Sequence, residues 1–499
     1  MDSLQIITKN RVIRVIKKNQ KNKIRLKNQT LAFLFCVFGF LGFAQNPKND
    51  TLLFPDFFAI VKKNHPVVKM ANLQPLRGST NVMQAKGGFD PQSYSYLYNK
   101  FFGGKEYYNY LDAGVKAQTR LFGLEFQAGF ESSRGDFISS DMITPSEGLW
   151  MAGFSLPVLQ GLIIDKQRAA LREAKIYKEA TKADQKRIIN DLLLQAGTLY
   201  WEWAAVNNQL EVYADAIKFS EDRLAGLRQA FLLGDRPAID TVETLIQLQN
   251  FSYSYNQTQL LLIQKTYELS VFFWDDKNNP IFLPETIKAP NFQAQIFSSF
   301  LTKDSLRLAL DSFAKSHPEL QLYNYKLKQL DIEKKLKLEK LKPKLNLRYN
   351  FLSYPSGNQP PGNFSTDNYK WGAEFGMPMF LRNERADVKL TRIKIMETEL
   401  NNQLKQKEIA AKIISGFRKC EFLIDQIELM KKTVENYKRM LNAEKTNFDA
   451  GESSVFLVNS RELALVQAEL KLIDSESKFR QAVISFFHSA GTLWTHEKF

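Results

Sequence analysis

Reactive side chains are scarce in this sequence: two cysteines and four histidines among 499 residues. Cys36 lies in a segment expected to be removed, which leaves Cys420 alone and allows no intrachain disulfide. A lone thiol is tolerated in an oxidising compartment when it is buried. The histidines, His65, His317, His488 and His496, form no cluster with metal-ligand spacing, so neither a metal nor another cofactor is called for. Gly-x-Ser-x-Gly, a phosphate-binding loop and a glycine-rich nucleotide fingerprint are all missing. Gly103-Gly104 reads as a turn, and Asp275-Asp276 before Asn278-Asn279-Pro280 reads as a solvated one. These absences exclude the usual site chemistries and argue against an enzyme. Beyond the N-terminal region no run reaches 18 apolar residues, so no helix can span a bilayer. If the mature chain enters a membrane, it must do so as strands.

The N-terminus has the grammar of a targeting signal. Residues 1–28 carry nine Lys or Arg and one acid, Asp2, and an apolar run from Leu31 to Phe43 ends in Gly42-Phe43-Ala44 before Gln45. A basic segment, a short apolar core and small residues at the cleavage point describe a secretory signal peptide over residues 1–44. The whole chain has 68 basic and 53 acidic residues, a net +15. Without the signal the counts become 68 − 9 = 59 and 53 − 1 = 52, a net +7. Much of the positive charge is therefore a targeting device, and no nucleic-acid partner is inferred from it.

What the sequence does contain is a duplication. Asn64-His65-Pro66 precedes Pro91, and Ser316-His317-Pro318 precedes Pro343; 318 − 66 and 343 − 91 both equal 252. Trp150, Ala152, Phe154 and Leu156 lead into Pro157, as Trp371, Ala373, Phe375 and Met377 lead into Pro378. Each copy predicts short helices, strands, then two long helices. The first repeat is placed at 45–285, and a linker, the second repeat and a C-terminal segment at 286–499.

One helical face runs Ile189, Leu192, Ala196, Leu199, Trp203, Val206, Leu210, Tyr213, Ile217, Ser220, Leu224, Leu227, Phe231. A second runs Ile409, Ile413, Gly416, Cys420, Leu423, Ile427, Met430, Val434, Tyr437, Leu441. Steps averaging 3.5 residues over many turns are a coiled-coil signature. The spacing predicts helices at about 163–232 and 384–449, stopped near Gly234 and Gly451, each turning back into a second helix at about 238–274 and 454–490.

Between the helical parts the period changes to two. Leu345, Leu347, Tyr349 and Phe351 alternate with polar residues, as do Phe126, Ala128 and Phe130 in the first copy. Such strands have one apolar and one wet face. Phe126, Phe130, Trp150, Phe154, Trp371 and Phe375 are candidates for a lipid-facing surface, and Tyr94, Tyr96, Tyr98, Trp150 and Trp371 include candidates for interfacial girdles. Two strands per repeat give four per chain, too few to close a barrel, and open edges in lipid are costly. Closure therefore requires several chains. The first copy is longer here, 157 − 91 = 66 residues between its prolines against 378 − 343 = 35. Residues 105–135 are either a longer loop or an extra hairpin.

The order signal peptide, helix pair, strands, Leu156-Pro157-Val158-Leu159-Gln160-Gly161, long hairpin, repeated once over about 50–491, resembles the TolC-like outer-membrane efflux family. The resemblance implies a mainly helical fold with membrane strands: a homotrimer whose shared 12-stranded β-barrel takes four strands from each chain, above a periplasmic tunnel of coiled-coil hairpins. It implies the partners too, a periplasmic adaptor protein, an inner-membrane pump of RND or ABC type, and outer-membrane lipid. The family closes its periplasmic end with polar links near the hairpin turns, and Asp240 falls where the first repeat carries such an aspartate. The second repeat departs, with Ser453 in place of a basic partner and Leu457 and Ser460 in place of acids. Phe448, Asp449 and Glu452 become the nearby aperture candidates. Arg223, Arg228, Asp235 and Arg236 are expected near the other tip as lumenal or adaptor-contacting charges.

The reading favoured by the sequence is a passive exit channel of a tripartite efflux system. A duct for type I protein secretion and a pore-less periplasmic coiled-coil protein are the alternatives.

Overall fold

The computed structural model describes residues 51–292, 303–353 and 364–495; the expected signal peptide and His496 lie outside the described residues. In chain order the elements are α1 (Phe54–Asn64), α2 (Pro66–Asn72), α3 (Gln74–Gly87), β1 (Gln92–Phe102), β2 (Lys105–Gln118), β3 (Glu125–Arg134), β4 (Leu149–Pro157), α4 (Lys166–Leu232), α5 (Ala238–Ser270), α6 (Lys303–Ser316), α7 (Pro318–Glu339), β5 (Lys344–Ser353), β6 (Tyr369–Gly376), α8 (Arg382–Asp449) and α9 (Val455–Ser489).

The two long helices have 67 and 68 residues, and at 1.5 Å per residue each is about 100 Å long. Neither contains a proline to break its hydrogen-bond ladder. Both stop at a glycine with φ near +81°, Gly234 and Gly451. In each turn the residue after the glycine donates back into the last helical turn, Asp235 to the Ala230 carbonyl and Glu452 to the Asn447 carbonyl. Only glycine adopts that left-handed backbone without penalty, which is why these positions end the helices and reverse the chain. The predicted seams are real. Leu192, Ala196, Trp203, Val206, Leu224 and Leu227 are buried on α4, and Ile409, Ile413, Cys420, Leu423, Val434 and Leu441 on α8.

The duplication governs local structure. Helix α7 spans 318–339, and the same offset of 252 gives 66–87, the span covered by α2 and α3 together. Pro75 interrupts the first copy, splitting one helix into two where the second has Leu327. Strands β1 and β5 begin at Gln92 and Lys344, again 252 apart. Helix α3 lies along the N-terminal part of α4 and α5 along its C-terminal part, while α7 and α9 divide the length of α8 in the same way. The chain therefore has four helical columns side by side, in the order α3/α5, α4, α7/α9, α8.

The main core is a belt midway along these columns. Phe54, Phe57 and Phe58 of α1 pack on Tyr200, Trp201 and Trp203 of α4, with Phe417 and Cys420 of α8 and Phe479, Ile484 and Phe486 of α9 in the same cluster. The Trp203 indole donates to Thr266 Oγ1 at 3.0 Å, so this large buried ring leaves no polar atom unpaired.

The strands form one antiparallel sheet in the order β1-β2-β3-β4-β5-β6. Residues 105–135 resolve as the additional hairpin: β2 pairs with β1 on one side and β3 on the other. Among the described residues the sheet thus has six strands, where four were expected. The added residues preserve alternation, with Leu111, Ala113, Val115 and Ala117 on one face of β2, but most of those side chains are small and the apolar signal is faint.

Candidate functional site

Register decides which side chains share a face. Ala117, Phe126, Phe154, Tyr349 and Trp371 form one row across β2 to β6, and Ala113, Phe130 and Trp150 another. Leu347 and Leu156 pair, and Leu345 pairs with Phe375. All six residues proposed from sequence as lipid-facing, Phe126, Phe130, Trp150, Phe154, Trp371 and Phe375, therefore lie on one apolar face. Five of the six are exposed, from Phe154 at 36% to Phe375 at 69%. That is the opposite of what an apolar surface does in water.

The other face is polar. Lys116 pairs with Gln127, Asp112 with Glu131, Ser155 with Arg348, and Asn350 with Lys370. Tyr94, Tyr96 and Tyr98 lie here in a row along β1, with Tyr96 stacked on Tyr98 and Tyr98 on Tyr110 of β2. They belong to the wet face, so the girdle candidates on the apolar face reduce to Trp150 and Trp371. Gly153 lies where the Asn350 side chain crosses β4 to accept from Gln127 Nε2 at 2.6 Å on β3. A β-carbon at Gly153 would occupy the space of that amide.

The segment Pro157 to Gly161 joins sheet to helix. Val158 N donates to the Leu345 carbonyl at 2.8 Å and Gln160 N to the Pro343 carbonyl at 3.1 Å, extending the β4–β5 ladder beyond the strand. Gly161 turns the chain at φ +99°. Asp165 caps α4 by accepting from Arg168 N at 2.8 Å, and Arg168 Nε returns to Asp165 Oδ2 at 2.7 Å. Arg168 also donates to the carbonyls of Gly161 and Leu162. Buried Glu339, ending α7, accepts from Gly161 N at 3.3 Å. The helix dipole and the cap thus fix how the long helix leaves the sheet.

At the far end the two hairpin turns meet. Arg236 stands 4.4 Å from the centre of the Phe448 ring, and its Nη2 donates to the Phe448 carbonyl at 3.3 Å. Of the tip residues named from sequence, these two are brought together. Asp240 occupies the first turn of α5, where the helix N-terminus favours a carboxylate, and Asp449 and Glu452 are exposed; none of the three enters an ion pair among the described residues. Ser453 donates to Glu444 on α8.

Arg223 departs from expectation. Its side chain is largely enclosed between helices: Nη2 donates to Glu462 Oε2 at 2.7 Å and Nη1 to the Asn459 side chain. Asn459 Nδ2 in turn reaches Glu243 at 3.5 Å, so α4, α5 and α9 share one polar cluster. In sequence Arg223 flanks the apolar seam, a position where charges ordinarily face water, and nothing there marks its partner 239 residues away.

The paired histidines are structural. His65 Nδ1 caps α2 by accepting from Val67 N at 3.2 Å, and His317 occupies the same place before α7. Burial pushes both imidazoles below their ordinary pKa. Burial also pushes the Cys420 thiol up to about 12, which makes it a packing residue and not a nucleophile. Among the described residues, no group of three or more His, Cys, Asp or Glu side chains could hold a metal, and no helix is long and apolar enough to cross a membrane.

Residues 310–492 match a family model described as outer membrane efflux protein. By fold, the chain is similar to TolC-like outer-membrane channels. The likeness in fold extends over nearly the whole length. The CmeC outer membrane channel of Campylobacter jejuni aligns with a TM-score of 0.61 at 13% identity, covering 88% of this chain and 85% of that one. The outer membrane protein VceC of Vibrio cholerae gives 0.62 at 11% identity, over 87% and 95% of the two chains. The MtrE outer membrane channel of Neisseria gonorrhoeae, in its open state, gives 0.63 at 12% identity, over 88% and 89%. No curated protein sequence matches significantly. The shared fold thus comes with little sequence likeness.

Proposed function

We propose that this protein is the outer-membrane exit channel of a tripartite efflux system. It works passively as a homotrimer, its strands in the outer membrane and its helices in the periplasm, where they meet an adaptor protein and an inner-membrane pump of RND or ABC type. The observation that carries this reading is the two-faced sheet. Its exposed apolar face holds Phe126, Phe154, Trp371 and Phe375, its polar face is lined by charges and tyrosines, and its end strands have open edges. In water that face would aggregate; in lipid it is matched, and the polar face is left to a water-filled lumen. Helices of about 100 Å running from the sheet supply the reach across the periplasm.

The test is export. Cells lacking the protein should accumulate a fluorescent efflux substrate such as ethidium, and plasmid-borne protein should restore its loss. Unchanged accumulation, with secretion of a large protein lost instead, would favour the type I secretion duct. No effect on either cargo, with the protein absent from the outer membrane, would leave a pore-less periplasmic protein.

A further inference from the structure

We infer that the sheet closes on a second copy of this chain through β6 and β1, in a register dictated by the internal repeat, so that three copies of six strands make an eighteen-stranded barrel. This rests on the trimeric channel proposed above and goes beyond it. The strand count departs from the twelve implied by family resemblance.

Three observations converge. The first is the free edges. Strand β6 is exposed along nearly its whole length and β1 almost as fully, whereas β4, covered by β3 and β5, is mostly half-buried. Backbone groups left unpaired at a membrane edge cost several kcal/mol each, so both edges need a partner strand. With six strands alternating in direction, β6 of one copy runs antiparallel to β1 of the next.

The second is the repeat. Within the chain the first copy's last strand, β4, pairs with the second copy's first strand, β5, and residue numbers in register sum to 503, as for Phe154 with Tyr349. Aligning Pro157 with Pro378 carries β4 onto β6 by 221, and the repeat offset carries β5 back onto β1 by 252. The corresponding sum between copies is 503 + 221 − 252 = 472. Phe375 then faces Leu97 of the next copy, apolar to apolar, with Gly376 opposite Tyr96 and Glu374 opposite Tyr98 on the polar face. The junction agrees. Val158 and Gln160 donate to carbonyls of the β5 strand and its lead-in, and their counterparts Met379 and Leu381 would meet Ser93 and Pro91 of the next copy. Met379 is 91% exposed and Phe380 69% in the single chain, as expected of residues awaiting a neighbour.

The third is width. Six strands about 4.8 Å apart and tilted about 40° span roughly 38 Å of circumference, whereas four span only about 25 Å. Four helical columns at about 9–10 Å span roughly 36–40 Å. Six strands therefore match the helices beneath them without a constriction at the junction. Barrels of 16–18 strands leave an open aqueous channel.

Cysteine pairs in the full-length, membrane-assembled protein test the seam. The polar-face pairs correspond to non-hydrogen-bonded positions, where facing Cα atoms lie about 4.5 Å apart, within disulfide reach; a diagonal pair, at about 7–8 Å, is not. Gly376→Cys with Tyr96→Cys, and separately Glu374→Cys with Tyr98→Cys, should oxidise to a ladder ending at three chains. The off-register pair Glu374→Cys with Tyr96→Cys, and each single variant, should stay monomeric on a denaturing gel. Preferential linking of the off-register pair would overturn the register. An intact three-fold particle that none of the pairs links would mean that β1 lies outside the wall, overturning the inference while leaving the channel. Absence of any trimer would instead remove the channel reading. Where the variants fail to assemble, the strand count of the unmodified protein decides, eighteen against twelve.

Discussion

Arg223 and Glu462 are joined at 2.7 Å although α4 and α9 bring them from opposite halves of the chain, and their side chains are only 11% and 4% exposed. A buried pair is costly to break because one charge is then left without a partner. Glu462→Ala should therefore destabilise the protein by about 3–5 kcal/mol. Replacing both residues with leucine should recover most of that loss. Thermal unfolding of the single and double variants measures this, and a single variant as stable as the parent would show that the pair is solvated.

The Arg236–Phe448 contact joins the two hairpin turns at the surface. A half-exposed cation–ring contact contributes about 0.5–1 kcal/mol, so Arg236→Ala should barely move the unfolding temperature. If the turns form the periplasmic aperture, the same change should raise single-channel conductance in planar bilayers. Conductance equal to that of the parent would mean that the aperture is closed elsewhere.

The sheet faces give a paired experiment. Phe126→Arg and Phe375→Arg place a charge on the apolar face, at a cost that reaches about 2–4 kcal/mol at the membrane midplane and falls towards the interfaces, and should impair outer-membrane assembly. Glu374→Arg, one position from Phe375 but on the polar face, should assemble. Cell fractionation reads the outcome, and equal assembly of all three variants would contradict the assignment of faces.

Acid should weaken the fold through His317. Burial favours the neutral imidazole and lowers its pKa from the ordinary 6.5, Glu319 opposing and Lys405 and His488 reinforcing the shift. Below pH about 6.5 the unfolded chain binds a proton that the folded chain resists, so this stabilisation is complete above that value and is lost as pH falls through it. The drop in unfolding temperature between pH 7.5 and pH 5 should be smaller for His317→Gln than for the parent. An equal drop would mean that the site admits the charged ring.

Much of this architecture was legible because periodicity is a local property. The seams from Ile189 and Ile409, the glycine stops and the alternation around Phe126 and Phe375 need only neighbouring residues to be seen, and the helix ends fall within a few residues of expectation. The added hairpin was not decidable. Its β2 face is built largely from alanine and valine, and its second turn is made by Phe122 and Gly123, both with positive φ, at Thr119-Arg120-Leu121-Phe122-Gly123 and not at an Asn-Gly pair. The tyrosines of β1 illustrate a different limit. Alternation sorts residues into two faces but does not say which face an amphipathic ring joins, and register with Asp112 and Gly114 placed Tyr94 and Tyr96 on the polar one. The Arg223 cluster and the Arg236–Phe448 contact depend on turns and helices brought together across more than 200 residues, for which one sequence carries no signal.

Electron cryomicroscopy of the full-length protein extracted from the outer membrane tests the central claim most directly. The account predicts a hollow, three-fold particle in which a closed barrel, its apolar face wrapped in detergent, continues into a tube of twelve helical columns about 100 Å long. A monomer, or an assembly whose sheet stays open with Phe126 and Phe375 buried against protein, would contradict it.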